Sequence, residues 1–150
     1  MIELPSVADT RAFGRRLAAV LRAGDLVLLI GPLGAGKTAL AQGIGAGLGV
    51  RGPVVSPTFV IARVHSDGRL PLVHVDAYRL GTLAEVDDLD LDVSVAESVT
   101  VVEWGAGLAE QLADARLEIL LDRKADSEIR TVQLRPVGND WAGRTAELIG

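Results

Sequence analysis

Five consecutive apolar residues, Leu26-Val27-Leu28-Leu29-Ile30, run directly into Gly31-Pro32-Leu33-Gly34-Ala35-Gly36-Lys37-Thr38. Nothing else in the chain limits its fold so strongly. The apolar run lies between Gly24 and Gly31 and reads as a short strand buried on both faces, as in the middle of a covered sheet. The next eight residues fit G-x-x-x-x-G-K-[ST], a spacing in which each residue type has a physical task. Glycines let backbone N–H groups turn inward around phosphate oxygens, using conformations closed to other residues. A helix opening at Lys37 adds the positive end of its dipole. In such a loop the lysine reaches the β- and γ-phosphates and the Thr hydroxyl binds Mg²⁺. Gly31, Pro32, Leu33, Gly34, Ala35, Gly36, Lys37, Thr38 and the adjoining Ala39 form the expected phosphate-binding set. A chance match is disfavoured because strand, loop and helix follow in the required order. The motif lysine is also one of only two in the chain, Lys37 and Lys124.

The neighbouring sequence supplies the rest of an α/β domain. Residues 7–23 are amphipathic, with Val7, Phe13, Leu17, Val20 and Leu21 on one stripe, Ser6 as N-cap and Gly24 as the stop. A second helix is expected over 37–48; Gly43, Gly45 and Gly47 weaken it by about 1 kcal/mol each relative to alanine, so packing must hold it. Phe59–His65 and Leu70–Val75 read as strands joined by Ser66-Asp67-Gly68-Arg69, an Asp-Gly hairpin signal. Val99–Val102 reads as another buried strand, and Arg116–Asp122 with Glu128–Leu134 as a late antiparallel pair. Short helical turns are expected over 82–98 and 108–112, and a helical tail over 139–150. The resulting class is a single α/β domain of the phosphate-loop type over 1–150, with a mixed central sheet, antiparallel hairpins and flanking helices.

A phosphate loop needs an acid for its metal, usually at the end of an apolar strand. Asp76 ends Leu72-Val73-His74-Val75, and Glu103 ends Val99-Thr100-Val101-Val102. Guanine-specific sites use an Asn-Lys-x-Asp loop. The only asparagine, Asn139, is followed by Asp140 and Trp141, so an adenine nucleotide, ATP, is the expected ligand.

Four motifs in order, Gly31–Thr38, Ser56-Pro57-Thr58-Phe59, His74-Val75-Asp76-Ala77-Tyr78-Arg79-Leu80 and Glu103-Trp104-Gly105, resemble the TsaE family (older name YjeE). The resemblance covers about residues 4–122. It implies a small ATPase of the pathway that places a threonylcarbamoyl group on the adenosine beside the tRNA anticodon. Such proteins hydrolyse ATP weakly alone and act with the partners TsaB and TsaD, where TsaD is the transferase. The resemblance makes Lys37, Asp76 and Glu103 the expected catalytic residues, with Thr38 and Glu103 on the metal. Ser56 and Thr58 match a switch-like segment that senses the γ-phosphate, Trp104 lies near the nucleotide, and Pro5–Thr10 matches an edge beside the adenine. Pro32 stands where many members have an acid, and Gly105 where proline is common; neither change removes a reacting group. The resemblance fades after Asp122, and a nucleotide contact from Arg130 does not follow from it.

Charge and composition narrow the remaining choices. The net charge is -5, which argues against a domain that grips nucleic acid by itself; DNA is excluded on this reading, and tRNA is reached only through partners. Residues 1–75 carry eight basic and four acidic side chains, residues 76–150 seven and sixteen. Glu85, Asp87, Asp88, Asp90 and Asp92 form a solvated face or a docking surface. There is no cysteine, hence no disulfide or thiolate zinc site. His65 and His74 sit on the two arms of the expected hairpin, and His74 reads as a structural strand residue. The start, Met1-Ile2-Glu3-Leu4-Pro5, lacks the features of a signal peptide, and no apolar run reaches membrane length; a cytoplasmic protein is expected. Two alternatives stay open: a small-molecule kinase using Arg63, Arg69 and Arg79, and a nucleotide-gated assembly factor with little turnover.

Overall fold

The computed structural model describes residues 2–31, 36–51, 62–76, 97–103, 115–124, 127–138 and 141–149. Ten elements follow in order: β1 (Ile2–Leu4), α1 (Val7–Ala18), β2 (Leu26–Ile30), α2 (Lys37–Leu48), β3 (Ala62–His65), β4 (Leu72–Asp76), β5 (Val99–Glu103), β6 (Arg116–Arg123), β7 (Arg130–Val137) and α3 (Trp141–Ile149). One seven-stranded sheet has the order β1-β7-β6-β2-β5-β4-β3. The four central strands, β6, β2, β5 and β4, are mutually parallel. β7, β1 and β3 join antiparallel at the margins. The mixed sheet and flanking helices are those of a phosphate-loop α/β fold.

Register decides which side chains share a face and an edge of the sheet. Val27 pairs with Val101 and Leu117, and Leu29 with Glu103 and Ile119. His74 pairs with Val101 and Asp76 with Glu103. Because side chains alternate along a strand, Leu117, Ile119, Val27, Leu29, Val99, Val101 and Leu72 share a face. That face packs against Phe13 and Leu17 of α1 and Leu40, Ile44 and Leu48 of α2. Followed toward the C-terminal ends of the parallel strands, this apolar face gives way to His74 and then Glu103. Ligands of open α/β sheets bind at that end.

The helices hold each other through small residues. A β-carbon on Gly14 of α1 would lie 2.6 Å from the Leu40 carbonyl oxygen, and one on Gly43 of α2 would collide with the Arg11 carbonyl. The glycines that weaken α2 as an isolated helix are thus what let α1 approach its backbone. Arg11 Nε also donates to Gln42 Oε1 at 3.0 Å. Ser6 caps α1: its Oγ accepts from Asp9 N at 3.3 Å and donates to Asp9 Oδ2 at 2.6 Å.

Some elements differ from expectation, among them β7, which runs Arg130–Val137 rather than Glu128–Leu134. α1 ends at Ala18 rather than near Gly24. Bonds from Ala19 N to Arg16 O, Val20 N to Leu17 O and Leu21 N to Ala18 O tighten the chain after it, a 3₁₀-like ending. Gly24 instead adopts φ +87° in the turn before β2, where its N–H reaches Ser98 O. β1 is an unexpected strand, too short for a periodicity signal, and pairs with Arg130–Val132. The β3–β4 hairpin forms as expected, with His65 opposite Leu72, but Gly68 serves close packing: a β-carbon there would lie 2.5 Å from Leu48 O. The acidic stretch before Glu97 and the helix expected over 108–112 lie outside the described residues.

Candidate functional site

β2 delivers the chain to Gly31, and α2 opens at Lys37 after Gly36 in a left-handed conformation (φ +102°). That dihedral is open to glycine and strained for other residues, so the second motif glycine is required by backbone geometry. Lys37 is only 5% exposed, and its Nζ donates to Gly31 O at 2.6 Å, joining the end of the loop to its start. A lysine buried at a helix N-terminus is unusual, because the dipole end there favours anions over cations. An anion bound at the loop reconciles the two. Thr38 and Ala39 lie in the first turn of α2, half-buried. Pro32, Leu33, Gly34 and Ala35 lie outside the described residues, as do Ser56, Thr58, Phe59, Tyr78, Arg79 and Trp104.

On the β5 side of the loop, Glu103 is 4% exposed at the end of its strand. Glu103 is thus not a solvated acid at a strand end. Its Oε2 accepts from His74 Nε2 at 2.5 Å. A carboxylate can only accept, which assigns the ring proton to Nε2. The other ring nitrogen, Nδ1, is buried without a partner. His74 is a buried strand residue, as expected, and its ring also makes the hydrogen bond to Glu103. The parallel register sets it beside Val101, two residues before Glu103 on the same face, a proximity that sequence spacing does not reveal. Asp76 ends β4 opposite Glu103 in register.

On the β7 side, the Arg130 side chain lies over Gly36: a β-carbon added there would sit 3.4 Å from its Nε. The sequence leaves the role of Arg130 open; the β6–β7 hairpin and its position beside β1 bring it to the loop.

Arg69, one of the cations considered for a kinase lid, is committed elsewhere. Its Nη2 donates to Ala18 O at 2.8 Å, and its N–H to Leu48 O at 2.5 Å. It closes the C-terminal ends of α1 and α2, so the kinase reading loses one member of its set. A cleft of about 260 Å³ opens beside Gly31 on the other side of the sheet, lined by Ile30, Leu120, Asp122, Thr131 and Gln133. Among the described residues its lining holds no cation. No helix among the described residues is long and apolar enough to cross a membrane.

Comparison with known proteins bears on the family and the fold. Residues 4–132 match the family described as threonylcarbamoyl adenosine biosynthesis protein TsaE. The chain is 60% identical over 139 residues to the tRNA threonylcarbamoyladenosine biosynthesis protein TsaE of Streptomyces coelicolor, covering 88% of this chain and 93% of that one. It is 40% identical over 141 residues to the protein of the same name from Bacillus subtilis, covering 93% and 87%. The crystal structure of Bacillus subtilis YdiB superposes with a TM-score of 0.82 at 33% identity, over 99% of this chain and 92% of that one. A match of this extent, across fold and sequence together, is decisive: the chain belongs to the TsaE family.

Proposed function

We propose that this chain binds and hydrolyses ATP with Mg²⁺, in support of threonylcarbamoyl transfer to the adenosine beside the tRNA anticodon, together with TsaB and TsaD counterparts. The observation that carries the reading is Lys37: a cation buried at the N-terminus of α2, held on the first residue of a glycine loop. The residues present fit a phosphate chain with its metal. They offer a cationic cradle, a hydroxyl at Thr38, and a buried acid at Glu103 on the same sheet edge. Among the described residues no three His, Asp or Glu side chains cluster as a self-contained metal site. Magnesium bound through phosphates needs only one or two protein oxygens.

In this reading the backbone N–H groups of Gly31 and Leu33–Ala39 and the Lys37 ammonium neutralise phosphate oxygens. Mg²⁺, which Thr38 and Glu103 would hold, would supply positive charge against that developing on the phosphates. Thr38 and Glu103 hold the metal, and His74 fixes the Glu103 carboxylate in one orientation, as outer partners of metal ligands do. Asp76 orients the attacking water or the segment that carries it, Ser56 and Thr58 sense the terminal phosphate, and Trp104 borders the nucleotide. Positioning and charge stabilisation supply most of the catalysis. The whole chain serves as one ATPase domain, and the TsaB and TsaD counterparts supply the contact with tRNA.

Two measurements test this. ATP turnover of the chain should be low alone and rise when TsaB and TsaD counterparts are added. Lys37→Ala should reduce turnover about 1,000-fold, a loss of about 4 kcal/mol in transition-state stabilisation. Near-normal hydrolysis by Lys37→Ala would remove the site.

A further inference from the structure

We propose that the cleft behind the phosphate loop is a docking site for an arginine side chain of a partner protein. The inference extends the partner reading above, and its first test stands apart from that reading.

The cleft lies on the sheet face turned away from α1 and α2. Ile30, Leu120 and Gln133 stand in one row across β2, β6 and β7, and Asp122 and Thr131 in the next row, level with the loop. The residues that alternate with them, Leu29, Leu121 and Val132, belong to the core beneath the helices. The space of about 260 Å³ is smaller than the about 300–1,000 Å³ usual for whole small molecules. Asp122 and Gln133 on its rim are exposed. A pocket so small and open holds one side chain, with the rest of the binding energy supplied by the surface around it.

The lining selects the kind of side chain. Ile30 and Leu120 make an apolar floor, and the polar groups over it all accept hydrogen bonds: the Asp122 carboxylate, the Thr131 hydroxyl and the Gln133 amide oxygen. Asp122 Oδ1 accepts from Arg123 N at 2.8 Å, and among the described residues no cation pairs with this carboxylate. The cations next in sequence are engaged elsewhere. Arg123 Nε donates to Ser127 O at 2.8 Å, and Lys124 Nζ to Glu3 Oε1 at 2.6 Å. Arg135, the next residue on that face of β7, stands opposite Glu118 in register. An acid without a counter-charge beside apolar surface suits a cation on an aliphatic stem. Several acceptors together suit the planar, five-donor guanidinium better than an ammonium, and arginine is enriched at the energetic centres of interfaces.

Placement gives such a contact a purpose. The cleft shares Gly31 with the phosphate loop, and the Gly31 carbonyl holds Lys37 Nζ. A partner seated there touches the loop from the side opposite α2.

The first test titrates the full chain with N-acetyl-arginine methylamide and with its neutral citrulline isostere, followed by NMR of backbone amides. The arginine compound should shift Gly31, Asp122 and Thr131 and bind at least about tenfold more tightly than the citrulline one. Asp122→Asn should abolish that difference. The second test measures affinity for the TsaB and TsaD counterparts. Asp122→Asn, and Gln133→Trp, which fills the cleft and keeps the carboxylate, should each weaken it about 10- to 100-fold. ATP turnover of the chain alone should change less than about twofold in both. Equal binding of the two amides overturns the proposal, as does unchanged partner affinity in the variants. Competition between ADP and the arginine compound assigns the cleft to the nucleotide and overturns it too. If Gln133→Trp does not fold, the isosteric Asp122→Asn decides alone. A wild-type chain that prefers the arginine compound but binds neither counterpart removes the TsaB and TsaD reading and keeps the arginine site.

Discussion

On the β5 side of the phosphate loop, Glu103 and His74 meet at 2.5 Å, both buried. On the β7 side, Arg130 lies over Gly36 with one hydrogen bond to the backbone and a buried Nε that has none. The first flank is an acid whose orientation is set by a neighbour before any ligand is considered. The second is a cation whose hydrogen bonding is incomplete within the protein. An oriented acid suits a group whose geometry must be held during reaction, whereas an unmatched donor suits simple retention. Hydrolysis and nucleotide affinity are thus expected to depend on different flanks.

Substitutions can break or sharpen that contrast. Glu103→Ala should have the largest effect on it, lowering Mg²⁺-dependent turnover about 100-fold while metal-free ADP binding changes less than about threefold. Calorimetry beside a phosphate-release assay separates the two quantities, and equal losses in both would erase the distinction between the flanks. His74→Ala should act in the same direction but more weakly. The Mg²⁺ concentration for half-maximal activity should rise about 10-fold, in the range seen for outer partners of metal ligands, with ADP affinity unaltered. A His74→Ala chain that instead loses ADP binding would place His74 with the gripping side. Gly43→Ala should leave the balance between flanks unchanged. Its added β-carbon collides with the Arg11 carbonyl beneath both flanks, so stability should fall by about 1–3 kcal/mol. Urea unfolding reads this directly.

Local chemistry made much of the molecule readable in advance. Leu26–Ile30 and Lys37–Leu48 have the expected limits, because an unbroken apolar run and a glycine-bounded loop leave few alternatives. Ser6 is the N-cap its sequence suggests. The end of α1 was harder to read, since the chain tightens five residues before Gly24 and Arg69, 51 positions from Ala18, takes up the exposed carbonyl. The same limit applies to the site. Lys37, Thr38 and Glu103 announce themselves by motif and strand end. His74 and Arg130 come into the site only through strand order: one through the parallel β4–β5 register, the other through a hairpin that returns to the loop. Side-chain types at those positions carry no trace of pairing partners 29 or more residues away.

The crossing of α1 and α2 has a consequence for control of the molecule. Three glycines in twelve residues leave α2 with little helix-forming tendency of its own. It persists because α1 lies against its backbone at Gly14 and Gly43. The anion cradle is therefore assembled only when α1 is docked, so folding and ligand competence are a single event, and nucleotide will raise the melting temperature by mass action. A compound wedged between the two helices would disarm the loop as effectively as one that occupied it, from a surface that shares no chemistry with the nucleotides of other enzymes.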